Sequence, residues 1–142
     1  MEGKSNKSTN SSLVFNNYIV NNVNFKYNEK SSKESWQLTF EVHNETRYNN
    51  EKNRMQIRLS VNIFKGIVDA PFYMDVTITG DFRLNGEEDI SKYEANAIAI
   101  MYPYLRAIVS TYTSSANINP LILPAINVNA MLENSKKEEK KN

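Results

Sequence analysis

Residues 55–63 read MQIRLSVNI and residues 72–84 read FYMDVTITGDFRL. In the first stretch Met55, Ile57, Leu59, Val61 and Ile63 alternate with Gln56, Arg58, Ser60 and Asn62. In the second, Phe72, Met74, Val76, Ile78, Phe82 and Leu84 alternate with Tyr73, Asp75, Thr77, Thr79, Asp81 and Arg83. A period of two held over such lengths belongs to β-strands with one dry face and one wet face.

Upstream, Trp36, Leu38, Phe40 and Val42 alternate with Gln37, Thr39, Glu41 and His43, which reads as another strand of the same kind. Residues 13–27 are less regular. There Leu13, Phe15, Ile19, Val23, Phe25 and Tyr27 are assigned to one face, and Asn21 with Asn22 marks a bend or bulge. One-sided strands with short polar connections suit an antiparallel sheet, because parallel sheets bury both faces. The expectation is a meander of four consecutive strands, with residues 44–54 and 65–71 as loops.

Beyond Gly86 the period changes. Glu87, Glu88 and Asp89 place negative charge where a helix N-terminus favours it, and Ser91 with Glu94 has capping-box spacing. A helix is therefore expected to run to about Ser114. Between Ala95 and Tyr112 its single charge is Arg106, while Ile98, Ile100, Met101, Tyr102, Tyr104, Leu105, Ile108, Val109 and Tyr112 do not fit one stripe. A helix that is apolar all round must be covered on more than one face. One sheet of so small a chain covers one face, so a second copy is expected on the other, with Ile100, Tyr104, Arg106, Ile108 and Tyr112 as interface candidates. Pro103 removes a backbone hydrogen bond in mid-helix and predicts a kink. The later apolar residues Ile118, Leu121, Ile122, Leu123, Ile126, Val128, Met131 and Leu132 are interrupted by Pro120 and Pro124. That pattern predicts an extended link to Pro124 and a short helix over residues 125–136.

The expected fold is thus α+β, a four-stranded antiparallel sheet packed on one long helix plus a short C-terminal helix. The whole chain, 142 residues, suffices for one domain, placed at residues 13–133. Residues 1–12, rich in Ser, Asn and Lys, and the charged residues 134–142 lack the apolar surface to offset ordering entropy, and both are expected to be disordered tails.

Composition excludes several kinds of chemistry. The chain has no cysteine, hence no disulfide, thiolate metal site or cysteine nucleophile. Met1 to Ser12 holds no apolar signal-peptide core, and the run from Ala97 to Leu105 falls far short of the roughly 20 residues that span a bilayer. A soluble, cytoplasmic protein is expected. Formal net charge is +1, with Lys and Arg scattered along the chain until its last residues, which argues against nucleic-acid binding. His43 is the single histidine, on the polar side of its strand without an evident nucleophile, and reads as a solvent-exposed bystander. Asp75 and Asp81 read as sheet-surface charge, and Glu87, Glu88 and Asp89 have no EF-hand spacing around them. The 4 glycines form no phosphate cradle. No enzyme, metal or cofactor is expected. What remains is a surplus of large apolar side chains, and exposed apolar patches mark binding surfaces.

Several of these residues carry a resemblance to the SecB family of protein-export chaperones. Tyr102, Pro103, Tyr104, Leu105 and Arg106 resemble the aromatic-Pro-Tyr-x-Arg signature of that family's first helix. Leu121, Leu123, Ile126, Asn127, Val128, Ala130 and Leu132 resemble the segment leading into its second helix. Phe72, Asp75, Val76, Gly80, Phe82, Leu84 and Gly86 resemble its last strand and exit, and Trp36 falls where the family carries a tryptophan.

The resemblance implies a dimer of dimers with the long helices at the tetramer centre, and a groove for extended, unfolded clients. Trp36, Leu38, Phe40, Leu121, Leu123, Ile126, Val128 and Leu132 match the positions that line such a groove. Many weak apolar contacts along it would retain an unfolded chain without any nucleotide and reject a folded one. Export-type members also carry an acidic patch that docks the motor SecA. Here Asp75 persists, but the matching first-strand positions are Asn22 and Lys26, so SecA is a doubtful partner. Three roles are compatible with this: a general export chaperone, a dedicated chaperone of one client such as the antitoxin of a toxin–antitoxin system, and a small-molecule carrier using the same groove.

Overall fold

The computed structural model describes residues 11–31 and 36–141, with side chains through Lys136. The first ten residues of the expected N-terminal tail, and residues 32–35 of the connection before the second strand, lie outside the described residues. The strands are β1 (Ser12–Tyr27), β2 (Phe40–Tyr48), β3 (Arg54–Ile63) and β4 (Phe72–Asn85), followed by helices α1 (Glu94–Ser115) and α2 (Val128–Lys141).

The sheet has four strands in the order β1-β4-β3-β2, every pair antiparallel. The expected meander therefore holds only from β2 to β4, and β1 lies beside β4 rather than beside β2. Alternation within a strand reveals which face is buried, but it does not name the neighbour. The two strands whose inner faces are wholly buried, β3 with Met55, Ile57, Leu59, Val61 and Ile63 and β4 with Met74, Val76, Ile78 and Phe82, take the centre. The two half-buried strands become the edges.

Strand β2 is displaced from its expected position. Trp36 and Leu38 precede it, and it continues through Asn44 and Thr46 to Tyr48. Those two polar residues occupy half-buried inward positions, which hid the continuation. A tight turn connects β2 to β3, in which Asn49 Oδ1 accepts hydrogen bonds from the backbone of Asn53 (3.0 Å) and Arg54 (2.9 Å).

Strand β1 carries register shifts between Phe15 and Asn17 and between Val20 and Asn22. The second falls at the asparagine pair expected to mark a bulge. The first, at Asn16, reverses the facing of the next residues, so that Tyr18 lies opposite Gly80 and Ile19 opposite Thr79. Tyr18, not Ile19, therefore joins the inner face.

Asp89 caps the approach to α1, its Oδ1 accepting from the Ser91 N–H at 2.9 Å across a single 3-10 turn, Ile90–Tyr93. That bond takes the role assigned to the Ser91 and Glu94 box. Helix α1 runs unbroken through Pro103, which is solvent-exposed, and lays Ala97, Ile98, Met101, Tyr102, Leu105 and Val109 against β3 and β4. At Gly80 the fit is tight, since an added Cβ would stand 2.7 Å from Met101 Sδ.

The chain then doubles back over α1 as a strap. Thr113 Oγ1 accepts from the Leu121 N–H at 2.9 Å, and the Tyr102 hydroxyl donates to the Pro124 carbonyl at 2.6 Å. Between these two pins Leu123 enters the core and is 0% exposed. Asn127 Oδ1 accepts from the Ala130 N–H at 2.9 Å and starts α2 at Val128, later than expected, and the helix continues to Lys141 through the charged residues expected to form a tail.

Candidate functional site

The sheet leaves β2 as a free edge. It pairs with β3 on one side, and among the described residues no strand lies on the other, so alternate backbone N–H and C=O groups face outward. Across from it, α2 packs on α1. A hollow of about 480 Å³ lies between them, lined by Asn44, Glu45, Thr46 and Tyr48 of β2, by Ser91 and Glu94, and by Leu132, Ser135 and Lys136 of α2. Asn44 Oδ1 is buried and has no hydrogen-bond partner among the described residues, while its Nδ2 donates to Thr46 Oγ1 at 3.3 Å. Burial, and then the carboxylates of Glu94 and Asp89, push the Tyr48 hydroxyl up to about 12, so it stays a neutral donor.

The eight expected groove residues divide into three sets. Trp36, Leu38 and Phe40 are half-buried at the entry to β2, with the Trp36 ring set edge-on to Phe64 at 6.1 Å. Phe64 meets Phe72 edge-on at 5.3 Å, Phe72 stacks on Phe25 at 5.3 Å, and Phe25 reaches Tyr112 at 5.6 Å. A continuous aromatic ladder therefore connects the β2 entry to α1. Leu121, Ile126, Val128 and Leu132 are half-buried on the strap and α2, and Leu132 alone of the eight lines the hollow with β2. Leu123 belongs to the core and offers no surface. Its neighbour Ile122, 67% exposed, does so instead, because the extended strap alternates inward and outward. Val68, 86% exposed at the tip of the β3–β4 loop, is a second bare apolar residue that alternation did not single out.

The interface candidates also divide. Ile100, Tyr104 and Tyr112 are partly exposed on α1, the two tyrosines beside β1, and Ile108 is half-buried. Tyr104 continues onto β1, with its ring 4.8 Å from Tyr18 and 5.6 Å from Phe15, and beyond it Val20 and Ile19 are exposed on that edge strand. Arg106 turns away from this stripe. Its guanidinium lies 6.0 Å from the Tyr102 ring centroid, and its Nε is buried with no partner among the described residues.

On the outer sheet face, Asp75 accepts from Asn22 Nδ2 at 2.8 Å and Asn24 Nδ2 at 3.3 Å. His43 is exposed, 3.4 Å from Glu41. Among the described residues no cluster of His, Cys, Asp and Glu is placed to hold a metal ion, and no helix is long and apolar enough to cross a membrane.

The family profile described as preprotein translocase subunit SecB matches residues 9–139. The chain belongs to the SecB family. Among curated relatives, this SecB-family chain is 39% identical over 138 residues to the uncharacterized protein MJ0357 of Methanocaldococcus jannaschii, covering 92% of this chain and 88% of that one. It is 28% identical over 85 residues to the protein-export protein SecB of Anaplasma phagocytophilum, covering 55% of this chain and 54% of that one. Among solved structures, the Mycobacterium tuberculosis SecB-like chaperone Rv1957, in complex with a ChAD peptide from the Rv1956 HigA1 antitoxin, superposes with a TM-score of 0.62 at 16% identity, covering 80% of this chain and 90% of that one. A Streptococcus agalactiae protein of unknown function does so with a TM-score of 0.52 at 14% identity, covering 81% and 98%. At these identities the two structures speak for the fold alone, and the SecB-like α+β architecture is the one built above.

Proposed function

We propose that the chain is an ATP-independent holding chaperone that retains unfolded or extended polypeptides along the β2 edge, beneath the strap and α2, and that it works as a homotetramer built as a dimer of dimers. The observation that carries this reading is the open space between β2 and α2. An unpaired strand edge supplies backbone hydrogen bonds that any extended chain satisfies, and the half-buried Trp36, Phe40 and Leu132 supply non-specific apolar contact. Leu38, Leu121, Ile126 and Val128 extend that apolar margin. A folded protein, with its edges paired and its apolar groups buried, has nothing to offer such a site.

The oligomer is supported by the apolar stripe of Ile100, Tyr104 and Tyr112, which continues through Tyr18 to the β1 edge. A second copy seated there would cover it, and several grooves on one assembly would hold a single client chain by avidity.

Export is the first role we assign. A dedicated chaperone of a single client, such as an antitoxin, is the second, favoured by the likeness in fold to a chaperone solved with an antitoxin peptide. Asp75 is already engaged by Asn22 and Asn24, which counts against its docking SecA. Light scattering with and without a chemically unfolded client tests the proposal. The expected result is a tetramer mass that rises on adding the client, with aggregation of the client suppressed. A monomer that leaves client aggregation unchanged would overturn it.

A further inference from the structure

The arginines are dispersed in the sequence, but the antiparallel register gathers them. On the outer face of the sheet Arg54 lies directly opposite Arg83, Gln56 opposite both Asp81 and Arg47, and Arg58 opposite both Thr79 and Glu45. Four guanidinium groups thus share one end of one face. Like charges directly opposite in a sheet oppose its formation, so the Arg54 and Arg83 pair works against the fold.

Internal neutralisation is incomplete. Asp81 holds Arg54 at 3.0 Å and accepts from Asn16 at 3.1 Å, while Arg83 donates to the amide oxygen of Asn85 at 2.6 Å. Arg47 and Arg58 are exposed, and among the described residues neither side chain has a hydrogen bond or ion pair, although Glu45 lies directly across from Arg58. Two depressions are lined in part by Arg47. One, of about 300 Å³, is lined by Arg47, Arg54, Gln56 and Asp81 among others. The other, of about 80 Å³, is lined by Glu45, Arg47, Gln56, Arg58 and Thr79.

We propose that this end of the outer sheet face docks an acidic, extended segment of a partner protein, with Arg47 and Arg58 receiving successive carboxylates. Arg47 and Arg58 are diagonal neighbours on adjacent strands, a spacing of about 7–8 Å between backbones. An extended peptide repeats its same-side residues at about 7 Å, so carboxylates at every second residue match the two arginines. Guanidinium groups donate to carboxylates in two-pronged geometry, which favours this pairing over point contacts. A nucleic acid fits less well. Glu45 and Asp81 interrupt the positive surface that a continuous row of phosphates would need, and the neighbouring outward residues Gln56 and Thr79 provide no stacking platform. The site lies on the sheet face opposite α1 and does not depend on client capture.

The test is fluorescence anisotropy of the full chain with a labelled peptide in which glutamate alternates with serine, beside a lysine–serine peptide and a single-stranded RNA. The glutamate peptide is expected to bind, to weaken as salt rises, and to lose affinity about tenfold in the Arg47→Glu/Arg58→Glu variant. Suppression of client aggregation should be unchanged in that variant. If charge reversal impairs folding by circular dichroism, Arg47→Gln/Arg58→Gln gives the same reading with a smaller loss. No binding of the glutamate peptide, equal binding by the variants, or tighter binding of the lysine peptide or of RNA would each overturn the assignment.

Discussion

The Tyr102 hydroxyl donates to the carbonyl of Pro124 at 2.6 Å, so the residue just before the helix proline fastens the strap to α1. Burial raises the Tyr102 pKa while Arg106 opposes the rise, and the hydroxyl remains a donor at neutral pH. Tyr102→Phe keeps the ring and removes the bond, at a cost of about 1 kcal/mol. Urea unfolding should report that loss, and limited proteolysis should cut the strap sooner than in the parent chain. An unchanged cleavage pattern would mean that the Thr113 to Leu121 pin suffices.

Leu123 and Leu132 separate stability from capture. Leu123→Ala opens a cavity under the strap and should cost about 2–5 kcal/mol in thermal or chemical unfolding. Leu132→Ala combined with Trp36→Ala touches half-buried margins, so it should weaken client affinity about tenfold while oligomer mass stays constant. Equal client affinity in the double variant would remove these residues from the groove.

Ile100 is exposed on α1, on the stripe that Tyr104 continues to β1. Ile100→Asp places a charge there without disturbing the core, and sedimentation or light scattering should show a smaller assembly. A variant of parental mass would locate the contact between copies elsewhere.

Tyr48 gives the protein an alkaline weakness. Its folded pKa, about 12, stands above the ordinary 10.0, so its contribution to stability is whole below pH 10 and is lost as pH rises towards 12. Tyr48→Phe should flatten that part of the stability profile. At the acid end, the Tyr93 hydroxyl holds Glu88 low and the Ser91 N–H holds Asp89 low, so their contribution is full above the ordinary carboxylate range and is lost on acidification. Denaturant midpoints measured across pH check both limbs.

Strand faces were readable from residues 55–63 and 72–84 because each inward position there is apolar and fully buried. Neighbour order was not, since β1 offers β2 and β4 the same kind of face. The end of β2 was hidden by Asn44 and Thr46, polar residues turned inward beside a hollow rather than into packed core. Within the expected groove set, Trp36 and Leu132 keep part of their surface open, which hydrophobicity alone did not decide. Leu123 could not be told from Ile122 by hydrophobicity, and only the pins at Thr113 and Tyr102 decide which of them turns inward. The arginine cluster escaped notice for a related reason: Arg47, Arg54, Arg58 and Arg83 meet only through strand register.

The pairing of Ser12 with Asn85 has a consequence for synthesis. A ribosome delivers β1 first and β4 much later, so the opening segment must wait unpartnered while the β2–β4 unit is being made. Its asparagines at 16, 17, 21, 22 and 24 keep that waiting segment wet and irregular, a poor template for other unfinished chains.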